Sequence, residues 1–273
     1  MLSPTQLIQQ IASTTLRVVA VTDHDSTEGV AEAIEASTSH PRLTVIPGIE
    51  LGTANDESEL HLLGYFIDTE NANMQSKLEQ FRLERVDVAK AMVGKLAELK
   101  RPISWERVVE MAGGSVGRPH IARAMVEAGH VETVAEAFER FLGDKGVARV
   151  PRPKLLPVEA LEMIHGAGGV GVIAHPRTVD KLDGLVRQLV EVGLAGIEVY
   201  AEKYASARRD SYLDLATRYD LVSCGGTDYH ALGALNETTP GSNGPPPDTA
   251  SQLLERATTT HGENVGCVPV GLT

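Results

Sequence analysis

The sequence predicts an α/β fold with an inserted helical subdomain, and three observations carry that expectation. Short β-branched runs alternate with helix-patterned segments over residues 1–70 and again over 150–273. Between them, residues 71–149 carry apolar residues at helical spacing without a strand signal. Side chains able to bind metal recur where predicted strands finish, as in "VAVTDHD" and "GVIAHP".

Ser3-Pro4-Thr5-Gln6 reads as a helix start: serine is the N-cap, proline takes the first helical position, and glutamine three residues on completes a capping box. Helix is expected to about Ala12. Leu16 to Thr22 is then a short buried strand, "TEGVAEAIEAS" a helix, "LTVIPGIEL" a strand and "SELHLLGYF" another. "MQSKLEQFRLERVDVAKAMVGKLAELK" is a long helix, and Thr133 with Glu136 offers a second capping box opening "VAEAFERFL". After "RVPRPKLLP" the alternation returns: a helix from Pro157, the strand "GVGVIAH", a helix near 178–192, the strand "GIEVY", a helix from about Ser206 and the strand "LVSCGG". "NETTPGSNGPPPD" is a Pro/Gly-rich surface loop, and a short helix and tail close the chain. "GAGGVG" at 166–171 has the spacing of a dinucleotide fingerprint, but that motif must follow a strand and open a helix. Here the order is reversed, so a tight helix-to-strand connection is expected.

The 273 residues carry a net charge of −12, which argues against broad attraction to duplex DNA. An anionic substrate would need local positive charge from metal ions or a few placed arginines. No apolar run approaches the roughly 18 residues of a membrane span, and the N-terminus lacks the features of a secretory signal. A cytoplasmic protein with no membrane partner is expected. Cys224 and Cys267 belong to no Cys-x-x-Cys pair and read as buried apolar residues.

Five predicted strands end, or nearly end, in potential ligands: His24 between Asp23 and Asp25, then Glu50, His61, His175, and Asp228 with His230. In folds built around parallel strands the carboxyl ends converge on one face, so these residues are expected to meet. Imidazole and carboxylate without thiolate suit zinc, manganese or iron. A carboxylate such as Glu50 can bridge two ions, and paired ions that activate water remove the need for a side-chain nucleophile. His40, His130, His165 and His261 have no acidic companion at a strand end and read as structural. Asp23 and Asp25 read either as groups that orient His24 or as caps of the following helix.

"TDHD", "PGIE", "HLLGY", "AHP" and "GGTDYH", in this order, resemble the PHP (polymerase and histidinol phosphatase) superfamily. Within it they resemble the stand-alone bacterial phosphoesterases of nucleotides and of short RNA 5′ ends. The resemblance implies a distorted (β/α)7 barrel with a metal cluster at the strand ends and a helical insertion between "HLLGY" and "AHP". It implies Glu50 as bridging carboxylate, His61 and His175 as the remaining ligands of one ion, Asp228 on a second ion, and His24 with His230 on a third. Arg118 and His120, in "GRPHIARAMVEAG", would meet the substrate phosphate, and Arg177 just after "AHP" is a further phosphate candidate.

The sequence departs from the family pattern at its start. Members open with a strand ending in His-x-His and then an aspartate, and no His-x-His occurs in this chain. The first barrel strand, two ligands of the second ion and one of the third are therefore expected to be missing, with fewer than three ions, impaired activity and exposed neighbouring strand edges. The function implied is a metal-dependent phosphoesterase acting on nucleoside monophosphates, 3′,5′-bisphosphates or short single-stranded RNA 5′ ends through metal-activated water, with His230 and Asp228 at the catalytic step. The alternative is a truncated or degenerate member that binds metal or nucleotide with little turnover. Metal-assisted amide hydrolysis is a third option that uses similar ligands.

Overall fold

The computed structural model describes residues 2–54, 59–112, 116–143, 145–151, 155–176, 179, 181–201, 205–230 and 238–272. The chain divides into two compact units, Met1–Gln75 together with Lys154–Thr273, and Ser76–Pro153.

The first unit is mixed α/β. It contains helices α1 (Pro4–Ala12) and α2 (Glu28–Ser37) and strands β1 (Val18–Val21), β2 (Thr44–Ala54) and β3 (Glu59–Tyr65). Helix α3 (Ala72–Glu98) starts here and continues into the second unit. After the second unit come α7 (Pro157–Gly166), β4 (Val170–Ala174), α8 (Leu182–Glu191), β5 (Gly196–Tyr200), α9 (Ser206–Arg218), β6 (Val222–Gly225) and α10 (Thr249–His261). The six strands lie in chain order in one sheet, so β1 and β6 are its edges among the described residues. Neighbours are parallel except at β3, which runs against both β2 and β4.

The sheet curls into a half-barrel. Val18 and Ala20 of β1 pack with Val222 and Cys224 of β6 in one apolar cluster, together with Ile46, Leu63, Val170 and Val172. These positions alternate along each strand and form the concave face. On the convex side, Ile8 and Ile11 of α1 and Val30 and Ala33 of α2 pack against Val21 and Val45. Helix α1 starts as its residues require: Ser3 accepts from the Gln6 N–H and the Gln6 side chain accepts from the Ser3 N–H.

The second unit is helical. It holds α4 (Trp105–Ala112), α5 (Arg118–Glu127) and α6 (Val134–Ala137), the last running into a π-helical turn at Phe138–Leu142. Its core is formed by Leu96, Val108, Ile121, Met125 and Leu142, all fully or nearly fully buried. No helix among the described residues is long and apolar enough to cross a membrane.

Four sequence expectations need correction. The strand expected over 16–22 is only β1, and three of its four residues are half-buried because nothing pairs with its outer edge among the described residues. Thr133 accepts from the Glu136 N–H, but the Glu136 carboxylate turns instead to the Glu132 N–H and to Arg140, so the second capping box is half formed. Cys224 is buried as expected, whereas Cys267 is half-exposed beside the chain's tail. His61 is not at a carboxyl end: it is the third residue of β3, and only the reversal of that strand brings it to the same end of the sheet as the others. "GAGGVG" is the reversed connection that was expected: α7 ends at Gly166 and β4 begins at Val170. Gly168 there has φ +73°, and a Cβ on it would lie 2.4 Å from the Gly266 nitrogen, so only glycine fits.

Candidate metal centre

Strand register builds the site. β1 and β2 pair in parallel from Val18↔Thr44 to Val21↔Pro47, and the same offset continues to an isolated bridge at His24↔Glu50. Across β2 and β3, Gly52 faces His61, so Glu50, two residues away, shares a face with His61. His61 in turn faces Ala174 of β4, and His175 is the next residue. Backbone pairing thus sets Glu50 and His61 at the end of the concave face, and His175 follows where β4 ends. Gly52 carries no side chain between them, and a Cβ there would reach only to 4.0 Å from His61 Nε2.

Glu50 is the centre of the group and is 5% exposed. Its Oε1 lies 2.7 Å from His61 Nδ1 and 3.0 Å from His175 Nε2, and those two ring nitrogens are 3.1 Å apart. Its Oε2 lies 3.9 Å from His24 Nδ1. His24 Nε2 is 3.5 Å from His230 Nε2, which brings the loop after β6 to the loop after β1. His230 Nδ1 donates to the Asp228 carbonyl at 2.8 Å; a carbonyl only accepts, so the neutral ring keeps its lone pair on Nε2, facing His24. Asp228 is exposed and has φ +49°, and His175 has φ +25°, backbone conformations that non-glycine residues seldom adopt and that cluster at working sites.

Burial raises the proton affinity of the Glu50 carboxyl, but hydrogen bonds from His175 and His61 outweigh it and hold the group well below its ordinary value. Burial lowers the His175 imidazole, yet the Glu50 bond and the charges of Glu50, Asp228 and Glu198 leave it raised. Burial also dominates at His24 and lowers it. Among the described residues the buried carboxylate is met by imidazoles and by no lysine or arginine. Ligand atoms of His24, Glu50 and His61 lie within 4.8 Å of one another. Imidazole nitrogens that converge on an anionic oxygen, and that can give up their protons to a cation, are the donor set a divalent ion requires, so these residues fit one.

Asp25 accepts from the Gly52 N–H at 3.2 Å, and its own N–H donates to the Glu50 carbonyl at 2.9 Å, tying the His24 loop to β2. Asp23 is raised by burial, and its carbonyl accepts from the Glu50 N–H at 3.1 Å. The N-cap of α2 is Thr27, which makes no side-chain cap bond, and Asp23 Oδ2 lies 3.1 Å from where a Cβ on Gly29 would stand. Arg118 and His120 belong to the helical unit, at the first turn of α5. Arg118 lies over the Phe138 ring at 5.8 Å and donates to the Leu142 carbonyl at 3.4 Å, while His120 Nδ1 accepts from the Gly117 N–H at 3.1 Å. Arg177 lies outside the described residues.

Sequence reading missed Glu198. It is the third residue of β5, 8% exposed, and its Oε2 accepts from the His175 N–H at 2.7 Å. Burial pushes its carboxyl up to about 7. The signal was present: "GIEVY" places one acid in an otherwise apolar strand, and a buried carboxylate needs a polar partner.

Comparison with known proteins agrees with this chemistry. No protein-family model matches the chain. It is 30% identical over 236 residues to the 5′-3′ exoribonuclease Rnm of Salmonella typhimurium, covering 84% of this chain and 80% of that one. It is 28% identical over 242 residues to the 3′,5′-nucleoside bisphosphate phosphatase of Chromobacterium violaceum, covering 85% and 83%. A crystal structure from Bifidobacterium adolescentis, assigned as a metal-dependent phosphoesterase, superposes with a TM-score of 0.80 at 31% identity over 94% of this chain and 91% of that one. The chain belongs to this family of metal-dependent phosphoesterases, hydrolases of phosphate esters.

Proposed function

We propose that the chain is a PHP-superfamily phosphoesterase that hydrolyses phosphate esters of nucleosides, as 3′,5′-bisphosphates or monophosphates, or the 5′ ends of short single-stranded RNA. The observation that carries this reading is the convergence of His61 Nδ1 and His175 Nε2 on one buried carboxylate oxygen of Glu50. Glu50, His61 and His175 would hold one divalent ion, with Glu50 reaching toward a second position that Asp228, His24 and His230 border. Manganese, zinc and iron all suit this donor set. Bound there, such ions supply positive charge for the phosphoryl oxygens and acidify a water molecule.

The chain's own residues do the rest. Glu50 offsets cationic charge inside a site the concave core keeps partly dry. Asp23 and Asp25 anchor the His24 loop to β2 through backbone and side-chain bonds. His230, its tautomer set by the Asp228 carbonyl, presents the Nε2 lone pair, which would take a proton from the attacking water and pass it to the leaving oxygen. Arg118 offers a planar fork suited to a phosphate, with His120 beside it on the same helical turn and Arg177 as a further cation.

The test combines elemental analysis with phosphate release from adenosine 3′,5′-bisphosphate and from a short 5′-phosphorylated RNA. The expected result is at least one bound divalent ion per chain and turnover that a chelator abolishes and manganese restores. Near-stoichiometric metal with no turnover of either substrate would leave the degenerate, binding-only reading in its place.

A further inference from the structure

Glu198 has no part in the scheme above, yet it is among the few buried charged side chains among the described residues. It faces Cys224 across β5 and β6, and Cys224 belongs to the concave apolar cluster, so the carboxylate points into the interior of the half-barrel beneath the histidines. β5 lies between β4, which leads to His175, and β6, which leads to Asp228. The two carboxylate oxygens lie toward these two sides. Oε2 accepts from the His175 N–H at 2.7 Å, and Oε1 lies 3.5 Å from where a Cβ on Gly226 would stand, beneath the segment leading to Asp228. The pairing of β5 with β6 slips between Glu198 and Tyr200, a bulge of the kind that re-aims side chains beside working sites.

The need for such a group follows from the backbone of His175. His175 lies one residue past the end of β4, whose pairing with β5 is at Val172 and Ile173, and its N–H meets a side-chain acceptor and not a strand carbonyl. A buried N–H left unmade costs about 1–3 kcal/mol. A carboxylate acceptor at 2.7 Å satisfies it with a short, charge-assisted bond and fixes the peptide plane. That plane sets the direction of the His175 side chain, whose Nε2 then meets Glu50 Oε1 at 3.0 Å. We infer that Glu198 is a positioning residue: by accepting from the His175 N–H it holds this imidazole against Glu50, in the orientation that receives the divalent ion. The inference rests on the metal-dependent phosphoesterase reading proposed above.

Three variants test it. Glu198→Ala removes the acceptor, Glu198→Asp withdraws it by one methylene while keeping the charge, and Glu198→Gln keeps an acceptor oxygen without the charge. The readouts are manganese affinity, hydrogen exchange of the His175 amide in chelator-treated protein, and kcat and KM for adenosine 3′,5′-bisphosphate. For Glu198→Ala and Glu198→Asp, manganese binding should weaken about tenfold or more, the scale on which outer partners of a metal ligand act. His175 exchange should accelerate to a similar extent, and kcat should fall while KM stays within about twofold, because ion placement and not substrate affinity is disturbed. Glu198→Gln should stay within about threefold of the native chain in metal affinity, since the bond it keeps is the one that matters.

A folded Glu198→Ala or Glu198→Asp protein with native metal affinity and native His175 exchange overturns the inference. So does a Glu198→Gln protein as impaired as Glu198→Ala, which would make charge and not the hydrogen bond the active property. If Glu198→Ala does not fold, Glu198→Asp decides the matter alone. Metal affinity and exchange need no turnover, so a native chain that hydrolyses neither nucleotide nor RNA would remove the functional reading while these two measurements still judge Glu198.

Discussion

A carboxylate buried among imidazoles stays ionised only if the rings carry protons or a cation joins them, and Glu50 is in that position. In metal-free protein the rings must serve. Burial would raise the Glu50 carboxyl, but the His175 and His61 bonds hold it below its ordinary 4.5, while His175 is held above 6.5 by the same contact against its own burial. Stability from the depressed carboxylate is present above its unfolded value and is lost as pH falls through the folded one. Stability from the raised imidazole is present below 6.5 and is lost as pH rises through the folded value of His175. Glu198 acts in the same direction on the alkaline side: pushed up to about 7 by burial, it keeps a proton in the folded chain that the unfolded chain releases. These two groups lower the melting temperature of chelator-treated protein as pH rises from about 6 to 8, while the lowered imidazoles of His24, His120 and His165 raise it. His175→Ala should remove part of the downward contribution, so that its melting temperature falls less or rises more over this interval than the native chain's. Identical pH profiles for native and His175→Ala protein would show that His175 does not share a proton with Glu50 as described.

At the scale of strands, the site depends on three lines of register meeting at Glu50, and the tightest point of that meeting is Gly48. A Cβ at Gly48 would lie 2.8 Å from both the Gly64 carbonyl oxygen and Thr22 Cγ2, on the two strands or strand ends that flank β2. The Gly64 oxygen is backbone and cannot turn away. Gly48→Ala should cost about 1–3 kcal/mol in urea unfolding, and a change within error of zero would mean that β1 and β3 are free to part around β2. Helix starts were legible because their chemistry is local: Ser3, Pro4 and Gln6 specify α1 without reference to the rest of the chain. The reversal of β3 was less so, since hydrophobic alternation is blind to strand direction. Its trace in the sequence is that only residues 55–58 separate β2 from β3, too few for the dozen or so that a parallel crossover needs.

For the molecule as a whole, the α/β class was readable from alternation, and most of the side chains that converge were readable because ligands stood out at the ends of apolar runs. His24, Glu50, His61, His175 and His230 come together as a chain of contacts. Glu198 was not read, because a lone acid inside "GIEVY" declares that it is buried but not which peptide N–H it meets; that partner exists only once β4 lies beside β5. The slip that half-exposes Cys267 has the same origin, since burial in a tail depends on what the tail packs against. The chain's charge of −12 also acquires a reading at this scale: a negatively charged protein in a family of phosphate-ester hydrolases needs local positive charge where the substrate sits, which the cations proposed at Glu50 would provide. The most direct measurement is anomalous X-ray diffraction from crystals of the native chain grown with manganese. A peak at coordination distance, about 2.0–2.3 Å, from Glu50, His61 and His175 is predicted. Manganese bound elsewhere, with these three side chains still bonded only to one another, would contradict the account.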